Sequence, residues 1–116
     1  MDESSLIANF KRLRRHVEDT GEWVVAVCPE NQTVFSQCRK IMVSSLSAGV
    51  EFSGRTARFP NQGLLTLVSH QTKMDSKKPF SVAFIGWGRV GSQKTDLMEN
   101  WRQQAQSVLT LGGDLQ

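Results

Sequence analysis

The sequence predicts an α+β domain: an N-terminal helix, an antiparallel meander of four to five strands, and a C-terminal helix packed on the sheet. Three observations carry this expectation. Apolar residues recur with helical spacing near the two ends of the chain. Between them lie short runs rich in β-branched and aromatic residues. Gly, Pro and Asn clusters separate those runs, and strands in close succession are read as antiparallel neighbours. The 116 residues suit a single small domain spanning 1–116, with 22% charged and 39% hydrophobic residues as in a globular chain.

Each element has its own warrant. Ser4 or Ser5 caps a first helix whose positive end favours Asp2 and Glu3. Leu6, Phe10, Leu13 and Val17 form its apolar stripe, and Gly21 stands just past its end. Trp23–Cys28 is a continuous apolar run, read as a buried strand, and Pro29–Gln32 supplies a turn. Thr33 to about Ser45 is expected to hold one long strand or two short ones, with Arg39 and Lys40 as an exposed kink. Val50–Phe59 reads as a strand whose alternation slips at Gly54, which suggests a bulge. Pro60–Gly63 is a turn, Leu64–Ser69 a strand, and Met74–Pro79 a polar basic connection. Phe80–Val90 is the best strand candidate, central in the sheet. Ser92 or Thr95 caps a last helix in which Leu97, Met98, Trp101, Ala105, Val108 and Leu109 keep helical spacing until Gly112 and Gly113.

Several functions are disfavoured. In the expected hairpin about Pro29–Gln32, Cys28 and Cys38 stand too far apart to bridge, so both are read as buried free thiols. His16 and His70 have no co-ligands at metal spacing. The first residues lack the apolar core of a signal peptide, and no run approaches the ~20 apolar residues of a membrane helix. A soluble, cytoplasmic protein without a membrane partner is expected. Motifs of the GxSxG, HExxH and Walker types are absent from the sequence. The carboxylates fall mostly at helix ends and turns, so neither catalysis nor a cofactor is expected.

One motif argues otherwise. Gly86-Trp87-Gly88-Arg89-Val90-Gly91 resembles a dinucleotide-binding fingerprint, and it follows a strand-like run and precedes a helix. Asp114 lies about 20 residues on, where such a fingerprint places an acidic ribose ligand. The resemblance implies a pyrophosphate held on backbone amides at the start of the helix. It also requires a second parallel strand, which could only be Val108–Leu111. Within an antiparallel meander the loop has no such partner, so the spacing is read as a bent strand end beside Trp87.

The leading expectation rests on charge. The net charge is +3 and the pI near 9.2. From Gly54 to Lys94 seven basic residues face a single acid, Asp75. Arg39, Lys40, Arg55, Arg58, Lys77, Lys78 and Arg89 lie on expected strands and connections, interleaved with Phe52, Phe59 and Trp87. Cations that track phosphate and aromatics that stack bases are the chemistry of single-stranded nucleic-acid binding. The sequence therefore points to a non-enzymatic module that binds single-stranded DNA or RNA through a basic sheet surface, as a homo-oligomer. A protein-interaction or assembly subunit, viral or phage-borne, is the alternative. A dinucleotide-binding enzyme is the more remote one.

Overall fold

A computed structural model describes residues 3–28, 32–45, 49–69, 78–85 and 92–109. Along the chain these form α1 (Glu3–Thr20), β1 (Trp23–Cys28), α2 (Gln32–Ser45), β2 (Glu51–Ser53), β3 (Thr56–Arg58), β4 (Leu64–Ser69), β5 (Ser81–Phe84), α3 (Ser92–Gln104) and β6 (Ser107–Leu109). The strands make one mixed sheet in the order β2-β3-β4-β1-β5-β6. The α+β class and the N-terminal helix agree with the sequence expectation, but the antiparallel meander does not. β1 pairs in parallel with both β4 and β5, and β5 pairs in parallel with β6. Antiparallel pairing is confined to β2–β3–β4.

The main cause of the difference is α2. Its β-branched and aromatic content favours a strand on propensity, yet it folds as a helix. Cys38, Ile41, Met42 and Ser45 are buried and Phe35 is half-buried, at intervals of three, three, one and three. That spacing makes one face of a helix, and burial against the sheet outweighs the small per-residue preference. No hairpin links Trp23–Cys28 to Thr33–Cys38, although both cysteines are free and buried. A helix after β1 allows the chain to return in parallel, as a tight turn cannot.

The other corrections are local. Gly54 is not a bulge in a single strand. With Arg55 it forms the turn of the β2–β3 hairpin, where Ser53 pairs with Thr56. Its φ of 62° is the left-handed conformation that a two-residue hairpin turn needs. Near the end of the chain, α3 stops at Gln104. Val108 and Leu109 belong to β6, opposite Val82 and Ala83 of β5. Residues 112–113, expected to stop the helix, lie outside the described residues.

Helices cover both faces of the sheet. In β1, Val24, Ala26 and Cys28 point to the α1–α2 side, while Trp23, Val25 and Val27 point to the α3 side. All five side chains from Val24 to Cys28 are fully buried. On the first face Leu6, Phe10, Leu13 and Val17 of α1 meet Leu65, Leu67, Ala83 and Ile85. On the second, Phe80 lies between Trp23 and Trp101, with ring centroids at 5.5 and 6.4 Å. Met98 and Trp101 of α3 close that core. Among the described residues no helix is long and apolar enough to cross a membrane.

The end of α1 is held by the 60–63 turn. Gly21 takes φ 69° just past the helix, as its sequence position predicts. Asn61 Nδ2 donates to the carbonyls of Val17 (2.8 Å) and Glu18 (3.0 Å), which satisfies acceptors that the helix leaves open. Gly63 lies so close that a Cβ there would overlap the Val17 side chain and stand 3.3 Å from the Glu22 carbonyl. Gly63→Ala should therefore destabilise the protein by about 1–3 kcal/mol, the usual cost of overpacking. Chemical denaturation is the check, and an unchanged midpoint would show that this junction is not close-packed.

Candidate functional site at the strand switch point

The four parallel strands have their carboxyl ends along one rim. From the end of β1 the chain passes to α2 on one face. From the end of the neighbouring β5 it passes to α3 on the opposite face. In open sheets of this design, two adjacent parallel strands whose connections part in this way mark the place, beyond their carboxyl ends, where ligands bind. The Ile85 amide donates to the Val27 carbonyl at 3.0 Å, so β1 and β5 stay paired up to that rim. Cys28 and Ile85, both buried toward α1 and α2, are the last described side chains at the ends of these two strands.

The glycine spacing leads from β5 to α3 at this point. Residues 86–91 lie outside the described residues, but the elements around them are clear. β5 precedes them, α3 begins at Ser92 directly after Gly91, and β6 returns in parallel beside β5. The unit from Ser81 to Leu109 is therefore a β-α-β crossover, the context in which GxGxxG spacing has a mechanism. A second parallel strand is present, so an antiparallel meander no longer argues against the motif. Such a loop supplies backbone N–H groups and the positive end of a helix, which suit a phosphate without any cation. No group of three or more His, Cys, Asp or Glu side chains able to hold a metal occurs among the described residues.

Of the eight residues predicted to grip nucleic acid, the five described ones fall in two places. Arg39, Lys40 and Arg55 come together around α2 and the hairpin turn. Arg39 lies 5.4 Å from the Phe52 ring centroid, and its Nη2 donates to the Gly54 carbonyl at 3.5 Å. Arg55 lies 5.4 Å from the ring centroid of Phe35. Arg58 and Lys78 belong elsewhere, on a 620 Å³ depression that also has Glu51, Gln62 and Leu64 in its wall. There Arg58 stands opposite Glu51 on one side and Leu64 on the other. Lys77, Trp87 and Arg89 lie outside the described residues, as does His70. Of the aromatics proposed to stack bases, Phe59 is buried in the core and Phe52 is half-buried beneath Arg39. The middle of the sheet presents no open face, because helices cover it on both sides.

A polar cluster at the opposite end of the strands had no signal in the sequence. Its members are Glu22, His16, Ser81 and Ser107, up to 91 positions apart. His16 Nε2 lies 2.9 Å from Glu22 Oε2, and Ser81 Oγ donates to the same oxygen at 3.1 Å. Ser81 Oγ is also 2.7 Å from Ser107 Oγ. The chain of contacts ties α1, the residue before β1, β5 and β6 together and gives the fully buried Ser81 its partners. The His16 hydrogen bond is the main cause that holds the Glu22 carboxyl below its ordinary value of 4.5; desolvation opposes it, and the Ser81 bond adds to it.

Comparison with models of protein families, with curated proteins and with solved structures finds no match for this chain. The fold and the rim geometry are thus the ground for a functional reading.

The Glu22 cluster generates a pH prediction. A carboxylate whose folded-state pKa is lowered contributes stability above its unfolded pKa, and that contribution is lost as pH falls through the lowered value. Wild type should lose stability between about pH 5 and pH 3 more steeply than Glu22→Gln, which has no carboxyl to protonate at this position. Thermal melts across that range are the check. Parallel profiles for the two proteins would show that the cluster is not linked to folding.

Proposed function

We propose that this chain binds a dinucleotide or nucleotide by its phosphates, in the crevice beyond the carboxyl ends of β1 and β5. One observation carries the reading: a GxGxxG spacing that joins a strand to a helix, with the next strand parallel to the first, at the point where the connections of neighbouring strands diverge. In a fingerprint of this spacing the first glycine serves a tight turn, the second the approach of the backbone to a pyrophosphate and the third close contact at the start of the helix, whose first amides face the negative charge. The reading is one of binding, and no catalytic role is assigned to any side chain.

The test is a ligand-dependent thermal shift. A ligand that binds only the folded state at 100 times its dissociation constant stabilises it by about 2.7 kcal/mol. For a domain of this size that is a rise of several degrees in Tm. Millimolar NAD, NADP, FAD or ATP should produce such a shift, and Gly88→Val should remove it. Absence of a shift with every one of these ligands removes the reading.

A second reading is a module that binds nucleic acid through basic side chains. It is favoured by the two arginines stacked on aromatic rings at the hairpin turn, next to Lys40.

A further inference from the structure

The covered sheet moves the basic surface to the helices. On the outer side of the α1–α2 layer and the adjoining hairpin turn, Lys11, Arg12, Arg15, Arg39, Lys40 and Arg55 are all exposed. α2 has no acidic residue from Gln32 to Ser45. The described acids of α1 that are exposed, Glu18 and Asp19, stand beside Arg14 (3.5 Å) and Arg15 (4.0 Å) one turn away. Arg14 also donates Nη1–H to the Ser45 carbonyl at 2.9 Å, so it serves the packing of the two helices. Among the described residues Lys11, Arg12, Arg39, Lys40 and Arg55 have no carboxylate within 4.0 Å.

Two of them are held in place. The Phe52 and Phe35 rings back the guanidinium groups of Arg39 and Arg55. A stacked guanidinium loses little further freedom on binding and keeps N–H groups to offer in its plane, the geometry that suits a phosphate. The same stacking covers those rings from outside, so they offer no platform to a base. The surface thus has the chemistry of phosphate contact and not of base readout.

We infer that the outer face of α1, α2 and the β2–β3 turn is a docking surface for the phosphate backbone of nucleic acid, indifferent to base sequence. The inference rests on the nucleic-acid reading and deepens it by assigning the surface. It is independent of the pyrophosphate crevice, to which none of these residues belongs. Charge complementarity identifies the occupant: a run of unpaired cations on adjacent elements fits a chain of regularly spaced anions.

Fluorescence anisotropy of labelled 20-nucleotide oligomers, single-stranded and duplex, tests it across a salt series. Wild type should bind with an affinity that falls linearly with log salt, by about 0.7–0.9 per phosphate neutralised. Lys11→Glu with Lys40→Glu touches no packing contact described above and should weaken binding at least tenfold. Arg39→Ala with Arg55→Ala should lower the salt slope by about 1.5. Arg58→Ala with Lys78→Ala, on the separate depression, should leave both unchanged, and oligomers of different sequence should bind alike. If no oligomer binds at low ionic strength, the nucleic-acid reading itself falls. If wild type binds but the charge-reversed variant binds as well, that reading stands and the helical surface is wrong. Equal affinity for poly-glutamate would assign the surface to an acidic protein partner instead.

Discussion

The structure depends on β1 being buried on both faces and paired on both edges. Val24 to Cys28 expose nothing to solvent, and β4 and β5 flank the strand in the same direction. Burying an aliphatic side chain of this size contributes roughly 1.5–3 kcal/mol, so a strand dry on both sides is a strong organising element. Parallel neighbours cannot be joined by tight turns. The chain must leave the sheet after β1 and again after β5, and α2 and α3 lie on those excursions. Each helix in turn needs an apolar face, supplied by Cys38, Ile41 and Met42 in one and by Met98 and Trp101 in the other.

The two ends of the parallel strands are finished differently. At the amino end, side chains do the joining. Asn61 closes α1, Gly63 lets the turn approach Val17, and Glu22 gathers His16 and Ser81. At the carboxyl end the connections to α2 and α3 part on opposite faces. Backbone amides and helix N-termini are what a rim of this kind can offer. The division puts these side-chain contacts at one end and the proposed ligand at the other.

Coverage of the sheet also governs where charge can go. With helices on both faces, the middle strands have no room for exposed cations. The basic residues of α1, α2 and the hairpin turn point outward from the helical layer. Arg58 and Lys78 fall on a separate depression with Glu51. The described residues that looked like one basic surface in the linear sequence fall in two places, one of them adjoining basic residues of α1 that the charge count had not included. The aromatics are divided as well: Phe59 belongs to the core, and Phe35 and Phe52 serve as backing for arginines.

Local signals in the sequence were sufficient for features that depend on neighbours along the chain. α1 with its Gly21 stop, the β1 run, β4 and the presence of a helix before the chain's end could all be read from periodicity and turn chemistry. The glycine spacing of 86–91 was legible as a motif. Strand direction was not, because the residues of a parallel and an antiparallel strand differ little, and a helix between two strands decides which forms. That helix, α2, has the β-branched content of a strand and is made helical only by burial of one face against the sheet. The same holds for Val108 and Leu109, which continue a helical pattern in sequence but gain hydrogen bonds to β5 by leaving it. The Glu22 cluster joins residues from three distant parts of the chain and could not be seen before they met. Sequence alone thus determined the composition of the local elements and the glycine spacing. Only the tertiary structure decided that the spacing stands between parallel strands at a switch point, because strand pairing is a contact between segments that no local pattern encodes.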